Sequence, residues 1–121
     1  MPANSKLRGA MGEETAAEYL KDKGYTIVGM NYRVRGGEID IIAKNRKYLV
    51  FAEVKTRKNA NFAMAAEFVT EAKIQRLIFA AQMYLAANPT RLQPRFDVIE
   101  VYTPDAGKPL INHIENAFSE G

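Results

Sequence analysis

The chain contains no cysteine and one histidine, His113. Disulfides, thiolate nucleophiles and Cys-ligated zinc are thereby excluded, and so are His-cluster metal sites and paired-His catalysis. Long apolar runs are missing as well. The most apolar stretch, Leu77 to Ala87, is interrupted by Gln82 and falls far short of the ~20 residues that a membrane span needs; it reads as a core helix, and no membrane partner is expected. Lys6 and Arg8 near the start have no apolar segment behind them, which is not a secretory pattern, so a cytoplasmic location is expected. No repeat or low-complexity tract is present. Charge of one sign is scarcely in excess: 17 Lys+Arg against 14 Asp+Glu leave a net +3, a mild lean toward polyanionic partners. Any chemistry must therefore come from carboxylates, lysines or hydroxyls.

What is present is ordinary for one globular unit. The 121 residues, 47% apolar and 26% charged, predict a single domain over 1–121 with a packed core. Residues Ser5 to Lys23 are helix formers, and Lys23-Gly24 before an aromatic is a helix stop. On that helix Ala16, Ala17 and Leu20 fall within about 60° of Glu13, which puts Glu13 on the face meant for the core. A lone acid there either snorkels to water or meets a cationic or hydrogen-bonding partner.

Tyr25 to Val34 is β-rich, and Gly36-Gly37 turns it into Glu38-Ile39-Asp40-Ile41-Ile42 as a hairpin. The polar Lys44 to Lys47 stretch leads to Tyr48 to Lys55, whose unalternating apolar first half predicts a central strand covered on both faces. Arg57 to Asn61 reads as an exposed loop. Thr70-Glu71 opens a second helix with an Ile74, Leu77, Ile78, Ala81, Leu85 stripe, ended by Asn88-Pro89. Arg95 to Tyr102 predicts a fourth strand, and Leu110 to Phe118 a terminal element of open type. The order is αβββαβ.

Strand alternation places Glu38 and Asp40 on one face with Ile39 and Ile41 on the other, and Glu53 and Lys55 on the face of Leu49 and Phe51. If these two strands are antiparallel neighbours, Glu38 and Asp40 come near Glu53 and Lys55, and Glu13 can join from the covering helix in one cleft. Converging carboxylates with a lysine suit a hard cation such as Mg²⁺ or Mn²⁺. Cross-strand salt bridges from Asp40 or Glu53 to Lys55 are the plainer alternative.

The segments Gly37-Glu38-Ile39-Asp40-Ile41-Ile42-Ala43 and Phe51-Ala52-Glu53-Val54-Lys55-Thr56-Arg57, with Gly12-Glu13 before them and Arg95-Phe96-Asp97-Val98 after, resemble the YraN-like family of small bacterial proteins over nearly the whole chain. That family is itself similar to the PD-(D/E)XK nucleases, and in particular to archaeal Holliday-junction resolvases. The resemblance implies an α/β, restriction-endonuclease-like αβββαβ core with a mixed sheet flanked by helices. It makes Asp40 the motif aspartate, Glu53 and Lys55 the E-x-K pair, and Glu13 the acid from the first helix. It further implies metal-assisted phosphodiester hydrolysis, in which Asp40, Glu53 and the Val54 carbonyl hold the ion, Glu13 supports it and Lys55 positions water. The role of Glu38 is open.

Arg33, Arg35, Arg57, Lys58, Lys73 and Arg76 flank these acids in sequence and are the candidate phosphate contacts. DNA is the expected partner, and a homodimer is left open. The leading expectation is an endonuclease on branched or damaged DNA, against a non-catalytic nucleic-acid-binding module of the same fold or a protein-interaction subunit. His113 is expected to be an ordinary, partly exposed residue.

Overall fold

The computed structural model describes residues 2–57, 69–103 and 106–119. Helix α1 (Pro2–Asp22) begins three residues before the expected Ser5 and stops at Gly24. There the left-handed backbone (φ 95°) lets the Gly24 N–H reach the Lys21 carbonyl and the Tyr25 N–H reach the Leu20 carbonyl, at 3.0 and 2.9 Å. This pair of bonds satisfies carbonyls that the helix end would otherwise leave orphaned. Strands β1 (Thr26–Val34), β2 (Gly37–Lys44) and β3 (Tyr48–Arg57) follow, then α2 (Glu71–Ala87), β4 (Gln93–Tyr102) and β5 (Leu110–Phe118). Helix α2 starts where the sequence indicates, with the Thr70 hydroxyl accepting the Lys73 N–H at 3.2 Å, and ends at Asn88 before Pro89.

The sheet runs β1-β2-β3-β4-β5, with β3 central as expected, β3–β4 parallel and the other pairs antiparallel. The terminal element whose type was open is therefore an edge strand. Its apolar positions are too sparse to mark a strand by themselves, and pairing with β4 decides it. Helix α1 covers one face through Ala16, Ala17 and Leu20 against Ile41, Ala43, Val50, Ala52, Ile99 and Val101. Helix α2 covers the other through Leu77, Ile78, Ala80 and Ala81 against Ile39, Ile42, Leu49, Phe51 and Phe96. No helix of the described residues is long and apolar enough to cross a membrane. Residues 58–61 of the expected loop lie outside the described residues, and Lys58 with them.

One alternation expected from the sequence fails. Ile39 packs on the α2 side and Ile41 on the α1 side, although the two were placed on one face. The break falls at Asp40, where β2 leaves its ladder with β3.

Glycine 37 was expected only as part of the turn, yet the turn's left-handed residue is Gly36 (φ 91°). Gly37 serves close approach instead: a Cβ there would run into the Arg76 carbonyl oxygen, with Ala80 at 3.0 Å. Gly37→Ala should lower stability by about 1–3 kcal/mol, because α2 must shift bodily to admit a methyl against its backbone. A thermal melt of the variant checks this, and an unchanged melting temperature would show that α2 yields freely.

Candidate functional site

A notch opens where two strand pairs diverge. Pairing of β2 with β3 runs from Lys44–Leu49 to Ile41–Ala52 and ends, while β1 follows β2 to Gly37 and β4 follows β3 to Arg57. Into the gap points the Val54 N–H, which donates to Asp40 Oδ2 at 2.8 Å. A side chain thus replaces a ladder partner for a buried amide, and the same bond orients the Asp40 carboxylate.

Glu53, 9% exposed, neighbours this carboxylate on β3. Two amines face its Oε2, Lys55 Nζ at 3.7 Å and Lys73 Nζ at 3.9 Å. Lys73 arrives in the first turn of α2, whose start is set by the Thr70 cap and whose approach is set by Gly37.

Burial and then the Asp40 charge push the Glu53 carboxyl up to about 7, and Lys55 and Lys73 only partly offset them. Burial likewise raises Asp40, against the opposing Val54 hydrogen bond, with Glu38 adding repulsion. Burial, and then the hydrogen-bonded Lys73 amine, hold Lys55 below the ordinary lysine value. Lys73 is held above it, chiefly by that same bond.

Glu13, on α1, is close enough to Asp40 for their charges to interact. Its carboxyl is raised by burial and then by Asp40, and is opposed by a hydrogen bond from the Asn31 side chain and by Arg33. Helix α1 can bring it there because Gly12 has no Cβ, which would collide with the Thr56 hydroxyl. Asp40 thus interacts electrostatically with both Glu13 and Glu53. Among the described residues, no three carboxylate or imidazole groups stand close enough to form a ready-made ligand cluster.

The basic candidates divide. Lys73 reaches Glu53, and Arg33 pairs with Glu38 at 3.7 Å on an open surface. Arg35 and Arg76 are exposed, Arg76 beside Gly37. Arg57 is not a surface cation: its guanidinium is buried against Glu100 at 3.4 Å. Strand alternation carries it onto the same face of β3 as Lys55.

Sequence reasoning missed Asn31, which sits across the β1–β2 ladder from Asp40, between the paired residues Met30–Ile41 and Tyr32–Ile39. Its backbone is left-handed (φ 53°), a conformation that asparagine tolerates better than most residues. An asparagine amid strand residues is the only signal that could have found it.

It also missed a buried network around Asp97. Arg95 donates to both Asp97 oxygens at 2.9 and 2.8 Å and to the Tyr25 hydroxyl at 2.7 Å. His113 Nε2–H donates to Asp97 Oδ2 at 2.6 Å, and its Nδ1 pairs with the Tyr19 hydroxyl at 3.0 Å. His113, whose side chain is 7% exposed, is thus not the ordinary surface residue expected. An isolated histidine in a sparse strand carries no sign of its partner 16 residues upstream.

The model of the uncharacterised protein family UPF0102 matches residues 12–101. The chain belongs to the UPF0102 family. It is 46% identical over 118 residues to the UPF0102 protein TTE1452 of Caldanaerobacter subterraneus subsp. tengcongensis, covering 95% of this chain and 97% of that one. A UPF0102 protein of Alkaliphilus oremlandii is 47% identical over 118 residues, with 95% and 99% covered. The UPF0102 protein CD630_12710 of Clostridioides difficile is 45% identical over 116 residues, with the same coverage. The resemblance to the YraN-like family is consistent with this membership. Glu13, Asp40, Glu53 and Lys55 all fall inside the matched segment. Membership shows kinship, and the chemistry is argued from the notch.

Two desolvated carboxylates whose protons are held upward by burial and mutual repulsion are short of positive charge, the condition that a bound dication relieves. A hard cation such as Mg²⁺ or Mn²⁺ would take oxygen donors of the kind that the Asp40 and Glu53 carboxylates and the Val54 carbonyl could supply.

A pH dependence follows for the metal-free protein. The folded Glu53 value of about 7 lies above the ordinary 4.5, so the stability it lends is complete below pH 4.5 and is lost as pH rises through 7. The loss is at most about 3 kcal/mol. Melting temperature in EDTA should fall between pH 5 and 8, and Glu53→Gln should flatten the slope. A slope unchanged in that variant would place the titration elsewhere.

Proposed function

We propose that this chain is a metal-dependent endonuclease hydrolysing DNA phosphodiester bonds, with branched or damaged DNA of repair or recombination as its substrate. The observation that carries the reading is the Asp40–Glu53 pair, desolvated in a notch of the sheet with the Lys55 amine 3.7 Å from Glu53. Structural salt bridges do not account for it, because the two amines leave the acids undercompensated, and burying carboxylates in that state costs stability.

A divalent cation held by Asp40, Glu53 and the Val54 carbonyl would polarise a non-bridging phosphate oxygen and acidify water. The residues of the chain do the rest. The Val54 N–H keeps Asp40 oriented, and Glu13, within charge range of Asp40, holds charge and water beside it. Lys55, whose proton is loosened by burial and by Lys73, positions the attacking water and, once it has given up that proton to solvent, can take up the water's proton. Arg33, Arg35, Lys73 and Arg76 lie around the notch and hold phosphates along the backbone without regard to sequence.

The test is cleavage of duplex, flap and four-way-junction DNA with Mg²⁺ and Mn²⁺, paired with gel-shift titration. Metal-dependent cleavage is expected. Tight binding without cleavage on every substrate would favour the non-catalytic module of the same fold.

A further inference from the structure

On the other side of β3 from Asp40 the sheet holds a second concavity, about 280 Å³ in volume. Helix α2 packs mainly on β2, so it roofs the β1–β3 half of its face and leaves this half open among the described residues. Lys55 and Arg57 of β3, Val98 and Glu100 of β4, and Ile114 and Phe118 of β5 line the cavity. Lys55 is thus a wall common to the cavity and the acid notch.

Three features narrow what fits. Val98, Ile114 and Phe118 make the walls apolar, which suits a flat neutral group and not a phosphate. The Phe118 ring is itself stacked on Phe96 at 5.7 Å and 21°, so it is a braced platform. At the polar edge sits the buried Arg57–Glu100 pair, with side chains 10% and 9% exposed. Asn112 and Tyr102 donate to Glu100 Oε1 at 2.7 and 3.2 Å, and the Arg57 guanidinium donates to Oε2 at 3.4 Å. A buried ion pair contributes little net stability, yet it sets a carboxylate acceptor beside a guanidinium donor. Nucleobase edges carry the complementary pattern of donors and acceptors.

We infer that this cavity receives one unpaired nucleobase from the strand being cut, so that the site selects DNA offering such a base over intact duplex. This inference rests on the nuclease reading of the neighbouring acids, because the base enters on the nucleotide whose phosphate faces Asp40 and Glu53. An intact duplex must first unstack and unpair a base to fill the cavity, whereas a bulge or junction offers one already free. Stacking on Phe118 is indifferent to base identity.

The probe is a pair of duplexes of one sequence, carrying 2-aminopurine either as a single-base bulge or paired with thymine. In metal-free buffer the bulged duplex should bind at least tenfold more tightly, with its fluorescence quenched on binding. Ile114→Trp fills the cavity from an exposed edge position (Ile114 is 39% exposed) and should bring the affinity ratio below twofold. Ala117 also lines the cavity, and Ala117→Leu is a milder filling that serves if the first variant fails to fold. Equal wild-type affinities alongside metal-dependent duplex cleavage would overturn the base pocket alone. A preference that survives both fillings would also overturn it. Failure to bind either duplex would overturn the nuclease reading and this inference together.

Discussion

Asp97→Ala should cost about 3–5 kcal/mol of folding stability, the scale of breaking a buried ion pair by removing one partner. For a domain of this size that is a fall of roughly 10–20 °C in melting temperature. Asp97 is fully buried and takes hydrogen bonds from Arg95, from His113 and from the Asn116 N–H at 3.0 Å. Removing it leaves the Arg95 guanidinium, 8% exposed, without its bidentate partner, and cuts the chain of side-chain bonds that runs from β4 through β5 to α1. Arg95 also lies 4.5 Å over the Tyr48 ring, so the disturbance reaches the start of β3. Asp97→Asn should cost nearly as much, since it keeps the shape but removes the charge.

Acid should reproduce part of the effect. Burial alone would raise the Asp97 carboxyl, but His113, Arg95 and the Asn116 N–H together hold it below the ordinary 3.8. Its contribution is therefore present above that value and lost as pH falls through the depressed one. A wild-type protein whose acid unfolding below pH 4 matches that of Asp97→Asn would show that the network is not a stabilising unit.

Asp40→Asn and Lys55→Ala should each reduce DNA cleavage about a thousandfold, the equivalent of several kcal/mol of transition-state stabilisation, while leaving most DNA affinity. The two act differently. Asp40 interacts with both Glu13 and Glu53 and is bonded to Val54, so its amide analogue should also abolish the rise in melting temperature that millimolar Mg²⁺ or Mn²⁺ is expected to give the wild type. Lys55→Ala should keep that rise, because an amine does not ligate the ion.

Metal-free DNA binding by Asp40→Asn should be unchanged or tighter, since an anion facing the phosphates is gone. Replacing the exposed Arg35 and Arg76 together should do the converse, weakening binding across sequences and reducing the salt slope by about two units. Kinetics on defined substrates with gel shifts at two salt concentrations separate these effects. Cleavage that survives both Asp40→Asn and Lys55→Ala would locate the chemistry elsewhere or in a contaminant.

Local patterns were sufficient for the order of the first six elements, for the Gly24 stop and the Thr70 cap, and for β3 as the central strand, because each depends on neighbours within a few residues. The sequence also brought Asp40, Glu53 and Lys55 together, since alternation and one short connection place two adjacent antiparallel strands. Its account failed wherever the deciding partner was distant or the ladder was broken. Alternation assumes continuous pairing, so it could not show β2 parting from β3 at Asp40, where Ile39 turns to the opposite face and the Val54 N–H goes to a carboxylate.

Arg57 read as a loop cation because nothing local indicates Glu100, 43 residues on, and His113 read as surface because Asp97 and Tyr19 reach it only across the sheet and from α1. The sequence by itself therefore determined which chemistry-bearing groups this protein owns and on which elements they ride. Tertiary structure alone decided which of them lose water and meet, because desolvation and pairing are properties of neighbours in space.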